Sequence, residues 1–72
     1  MASATGAQTD YIISLYNQIH GTTHGYLSQC DKLQLSQREK KGGAIGGMTK
    51  AEASGYIGKL KTAAVRKARR NA

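Results

Sequence analysis

Neither phenylalanine nor tryptophan occurs in the 72 residues, and the aromatic rings are those of four tyrosines and two histidines. With 39% of positions hydrophobic, the chain can fill the core of one small domain at most. A core of that size is marginal alone and gains from a disulfide, a metal or a partner. The single cysteine, Cys30, closes the first route within one chain, and a lone thiol fits a reducing, cytoplasmic setting. No apolar run approaches the ~20 residues of a membrane helix, so no membrane partner is expected. Residues 1–6 also lack the basic start and apolar stretch of a secretory leader. Acids are the scarcer charge: Asp10, Asp31, Glu39 and Glu52 stand against 11 Lys and Arg, for a net charge of +7. Four scattered carboxylates leave little for acid–base catalysis. The balance draws the chain to polyanions, nucleic acid first and acidic protein or lipid after it.

What the sequence does contain is three capping signatures and two apolar stripes. Thr5 followed by Gln8 is a capping box, in which hydroxyl and carboxamide satisfy each other's backbone N–H. Ile12, Leu15, Tyr16 and Ile19 then recur at helical spacing, and Gly21 can take the left-handed conformation that ends a helix. These signals predict a helix over 5–21. Tyr26, Leu27, Cys30 and Leu33 predict a shorter helix over 25–34, and Ser36 with Glu39 caps one further turn. The glycine-rich run 42–48 interrupts any helix and reads as a flexible loop with Ile45 as a small apolar plug. Thr49 with Glu52 opens the last segment, where Ala53, Tyr56, Ile57, Leu60, Ala64 and Ala68 trace a stripe over 49–71. Gly55 and Gly58 lower helix propensity by roughly 1 kcal/mol each. Their place beside the stripe would let another helix or the glycine loop come close.

The expected architecture is all-α, a single small basic domain over 1–72. Two amphipathic helices are joined by a short helical segment and a glycine-rich loop, with residues 1–4 and the last few disordered. Ile12, Leu15, Ile19, Tyr56, Ile57 and Leu60 would form the core, completed by Leu27, Cys30 and Leu33. A homodimer, or docking on a larger assembly, would bury more. The two ends also echo one another. Thr5, Gln8, Tyr11, Ile12 and Leu15 parallel Thr49, Glu52, Tyr56, Ile57 and Leu60, with the register slipping by one residue.

Those two blocks, Thr5-x-x-Gln8-x-x-Tyr11-Ile12-x-x-Leu15 and Thr49-Lys50-x-Glu52-Ala53-Ser54-x-x-Ile57-x-x-Leu60, resemble the small helical modules of the domain-of-unknown-function 3072 type. Such modules look like short actinobacterial and phage products, or tails of larger proteins, some of which handle DNA. The resemblance covers about a third of the chain, at its helical ends. The glycine-rich middle departs from the short connector of those modules. Since the shared positions are caps and core, the resemblance implies a fold and transfers no catalytic or ligand residue.

Few constellations carry chemistry. His20, His24 and Cys30, with Asp31 beside the last, are metal-ligand types, but a zinc site wants four ligands, usually with paired spacing. Gly21 separates the histidines and no second cysteine exists, so no metal and no cofactor is expected. Cys30 as a nucleophile would need a base and a lowered pKa, and its place on an apolar stripe reads as packing. Glu39 and Glu52 are explained as capping residues, and no catalytic residue is assigned. Glycines 42–47 precede a helix with Lys50 in its first turn, as in a phosphate loop. The Walker spacing is not met, and no strand precedes the run.

The basic groups are the main functional signal. Arg38, Lys40 and Lys41 form one cluster, Lys59, Arg66, Lys67, Arg69 and Arg70 another, and no acid follows Glu52. Lys59, Arg66 and Arg70 fall on nearly one side of a helix, with Lys67 close by. Such a row binds phosphates in a salt-dependent way by releasing counterions. These eight residues are the candidate nucleic-acid contacts, to the backbone of DNA or RNA. Tyr11, Tyr16, Tyr26 and Tyr56 could stack on unpaired bases, although Tyr56 lies on the apolar stripe. The expectation is a non-enzymatic nucleic-acid-binding accessory protein. The alternative is a small phage-type modulator whose basic surface docks in an acidic groove of a host protein or nucleoprotein complex.

Overall fold

The computed structural model describes residues 2–71 and is built on two helices, α1 (Gly6–His20) and α2 (Lys50–Asn71). Among the described residues there is no strand, only an isolated bridge between Ser3 and Thr49. All three capping boxes form. The Thr5 hydroxyl accepts from the Gln8 N–H, and the Thr5 N–H donates to the Gln8 side chain, both at 3.0 Å. Ser36 and Glu39 exchange the same pair of bonds, as do Thr49 and Glu52. Gly21 ends α1 at φ 64°, a conformation that costs a residue with a Cβ. Asn17 folds the exit back on the helix: its amide donates to the His24 carbonyl, and its oxygen accepts from Thr22 and the His24 N–H.

The two helices run in the same direction. The Ala4 N–H donates to Met48 and the Lys50 N–H to Ala2, so both helices start at one end. Further along, Lys61 lies over the Tyr11 ring, and Lys67 reaches the carbonyls of Gln18 and Ile19. A parallel pair needs a connection that travels back the length of α1, roughly 22 Å at 1.5 Å per residue. Residues 21–49 make that journey and cover the seam as they go.

The return segment differs from the helix expected over 25–34. It contains two 3₁₀ turns, Leu27–Gln29 and Asp31–Leu33, with Cys30 at φ −85°, ψ 66° between them. The physical reason lies in the period. Leu27, Cys30 and Leu33 recur every three residues, which aligns them on a 3₁₀ turn of 3.0 residues and drifts on an α-helix of 3.6. The Gln29 side chain also holds the N–H groups of Gly25 and Tyr26, which caps the first turn. Tyr26 is left exposed. A third such turn, Glu39–Lys41, follows the Ser36 cap.

The glycine run is a folded turn and not an open linker. Met48 N–H bonds to Gly42 at 2.6 Å and Gly47 N–H to Ala44 at 2.7 Å. A Cβ on Gly43 would collide with the Ala4 carbonyl, so glycine is needed for that close approach. Ile45 is 99% exposed and plugs nothing. Met48 fills the core in its place, fully buried beside Ile12, Leu15, Leu27, Leu35, Ala53 and Leu60. Residues 2–4, expected to be disordered, are tied to α2, and Ala4 is buried. At the other end α2 continues through Asn71, and Met1 and Ala72 lie outside the described residues.

The core corresponds closely to the two stripes. Ile12, Leu15, Leu27, Cys30 and Leu60 are buried, and Ile19, Leu33, Tyr56 and Ile57 pack half-buried against them. Ala68 is exposed, because α1 has ended by that level and the last turns of α2 project past it. Gly55 and Gly58 admit no close neighbour: a Cβ on either meets nothing within 4 Å. No helix of the described residues is long and apolar enough to cross a membrane.

Candidate functional site

The eight candidate cations separate into groups with different work to do. Arg38 grips Glu52 with both terminal guanidinium nitrogens, at 2.7 and 2.6 Å, and donates a further bond to the Gly47 carbonyl at 2.9 Å. It is the only ion pair among the described residues. The Arg38 bonds and the Thr49 N–H hold the Glu52 carboxyl down at about 2. Arg38 therefore ties the return segment to the first turn of α2, a fork geometry that favours carboxylate binding.

Lys67 is also engaged. Its ammonium donates to the carbonyls of Gln18 and Ile19 at 2.9 and 2.7 Å, capping the C-terminal end of α1. These carbonyls have no partner within the helix and carry the negative end of its dipole, so a cation is well placed. Lys67, expected in the phosphate row, is thus occupied by α1. The signal for its real position was present: Lys67 lies seven residues after Leu60 and three after Ala64, on the buried stripe itself. Nothing local pointed from Arg38 to Glu52.

Of the other six, Lys59, Arg66 and Arg70 stand together. They line one cleft of about 570 Å³ with Lys67, Thr62, Ala63 and Ile19 of α1. No carboxylate lines it. Acids begin only at its N-terminal boundary, where Lys59 also borders a hollow with Glu39, Glu52 and Tyr56. Glu39 accepts from the Tyr56 hydroxyl at 2.7 Å, which with the Ser36 N–H lowers its pKa. Burial first, and that bond second, push Tyr56 up to about 12. Arg69 is exposed outside the cleft, and Lys61 packs 5.8 Å over the Tyr11 ring as a cation–π contact. Lys40 and Lys41 belong to a separate depression beside Thr9, Asp10 and Tyr26.

The other candidates are structural in their surroundings. His20 and His24 flank the buried Tyr16 ring, at centroid distances of 4.4 and 5.7 Å. Burial, then Lys32 and Lys67, lower the His20 pKa. Cys30 is 2% exposed with its thiol directed at the Tyr26 carbonyl, and burial, then Asp31, push its pKa up. A thiol so placed stays protonated at neutral pH. Among the described residues no three His, Cys, Asp or Glu side chains converge as metal ligands. In the glycine turn, the N–H groups of Gly47 and Met48 bond within the turn, and Arg38 in the adjoining hollow is already paired with Glu52.

Compared with protein-family models, curated proteins and solved structures, the chain matches none.

Proposed function

We propose that this protein is a non-enzymatic nucleic-acid-binding accessory protein that contacts phosphates through the basic face of α2. The observation that carries this reading is the cleft in which Lys59, Arg66 and Arg70 stand together without a carboxylate. Helical spacing puts them in a row about 16 Å long, on a chain of net charge +7. Each phosphate such a row neutralises releases counterions, which gives affinity without sequence preference. Arg69 extends the same field from the projecting end of α2, and Lys40 and Lys41 supply a second, smaller patch. Arg38 and Lys67 support the interface by holding the fold. A cytoplasmic setting suits the single reduced thiol.

Titration of labelled nucleic acid at two salt concentrations tests the reading, with Lys59, Arg66 and Arg70 changed together to Ala as the comparison. The expected result is binding that falls steeply with salt, with the triple variant losing about three units of the log–log slope. Absence of binding at moderate salt would overturn it. Recovery of a tight protein partner after nuclease treatment would then favour a modulator that docks its basic surface in an acidic groove.

A further inference from the structure

Proteins that hold single strands combine a basic groove with aromatic rings on which unpaired bases stack. Here no ring lines the basic cleft, and the tyrosine nearest it, Tyr56, shares only the neighbouring hollow at its Lys59 end. Tyr16 is 3% exposed beneath His20 and His24. Tyr56 packs half-buried against the core, its hydroxyl bonded to Glu39. Tyr11 lies under Lys61, two residues from Lys59 and so about 200° around the helix from the cleft. Tyr26 is open to solvent, but it borders the depression of Lys40 and Lys41 on the return segment. The cleft thus contains cations and no ring.

The one hydroxyl in the cleft, that of Thr62, has its proton committed to the Gly58 carbonyl at 3.0 Å and cannot donate to a base. No carboxamide lines the cleft to read a base edge. The charges sit on a rigid rod at set intervals, about 10 Å from Lys59 to Arg66 and about 6 Å from Arg66 to Arg70. A rigid row suits phosphates already held in place by a stiff duplex. A flexible strand would have to be ordered on binding, with no stacking to offset that cost.

Resting on the nucleic-acid reading above, we infer that the Lys59–Arg66–Arg70 cleft takes the sugar–phosphate backbone of a double-stranded nucleic acid, without reading its sequence. The duplex can be DNA or RNA, since both present the same phosphate chemistry. The test compares a duplex DNA, a duplex RNA and an oligothymidine of equal phosphate number at one moderate salt concentration, using the full chain. At least one duplex is expected to bind roughly tenfold tighter than the single strand, and whichever duplex binds tighter names the source. Intrinsic tyrosine fluorescence is expected to stay constant on binding, and the exposed-site variant Tyr26→Ser to keep duplex affinity within about twofold. Equal or tighter binding of oligothymidine, with or without tyrosine quenching, would overturn the duplex assignment while leaving nucleic-acid binding intact. A large loss in Tyr26→Ser would overturn it as well. Failure of all three probes to bind would remove both readings together.

Discussion

Glu52 accepts bonds from the Thr49 N–H and from both terminal guanidinium nitrogens of Arg38, and its pKa falls from an ordinary 4.5 to about 2. Folding therefore weakens proton binding at this carboxyl. The resulting stability is fully present above about pH 4.5 and is lost as the pH falls toward 2. Glu52→Gln should flatten that part of the acid-denaturation profile, read by circular dichroism, and Arg38→Met should act in the same direction. An unchanged profile in Glu52→Gln would mean that the pair does not form in solution. Two glycines make a second contrast at this scale. Gly58 sits in mid-helix with open space around it, so Gly58→Ala should stabilise by roughly 1 kcal/mol. Gly43→Ala should destabilise, because its Cβ would strike the Ala4 carbonyl. Paired thermal melts check both signs, and only the surroundings of each glycine distinguish them.

At the scale of elements, the helices and their starts were legible because a capping box and an i, i+3, i+4 stripe are local patterns. The return segment reads as an α-helix because Tyr26, Leu27, Cys30 and Leu33 also meet helical spacing over so short a run, whereas the three-residue period of the last three favours 3₁₀ turns. Cys30 settles it by leaving the helical region. Leu35, two residues beyond Leu33, breaks the three-residue period, and Met48 stands alone after the glycine run, so neither core residue belongs to a periodic stripe. The end of α1 depends on another element, through the ammonium of Lys67. Lys67→Met should loosen the last turn of α1 by about 0.3–1 kcal/mol, seen as faster amide exchange near Gly21. Duplex affinity should fall far less than in the Lys59/Arg66/Arg70 variant. Equal losses would place Lys67 among the phosphate contacts.

The whole molecule is polar in charge. Glu39 and Glu52 lie engaged toward the common start of the helices, whereas α2 beyond Gly58 carries only cations. Arg66 and Arg70, four residues apart on one face, repel by a few tenths of a kcal/mol. Salt screens that repulsion, so the melting temperature should rise between low and moderate ionic strength. Changing Lys59, Arg66 and Arg70 to Ala should remove most of the rise and increase stability at low salt. A melting temperature that falls with salt would show that the Arg38–Glu52 attraction outweighs the repulsion. The elongated shape, 41 Å by 20 Å by 19 Å, follows from α2 outrunning α1 and carrying Arg69 and Arg70 with it.

Local sequence is enough to set where the two helices begin, which faces they bury and the strong positive charge of the last twenty residues. These features follow from neighbours within one or two turns, where backbone bonding and side-chain spacing are enough. Tertiary structure alone decided that the helices run parallel and that the glycine run closes on residue 4. It also decided which cations are available to a partner. Arg38 meets its carboxylate across 14 residues and Lys67 its carbonyls across 48 and 49. The stripe places Lys67 on the buried face of its helix, but which partner each of these cations meets is chosen by the packing of the whole chain.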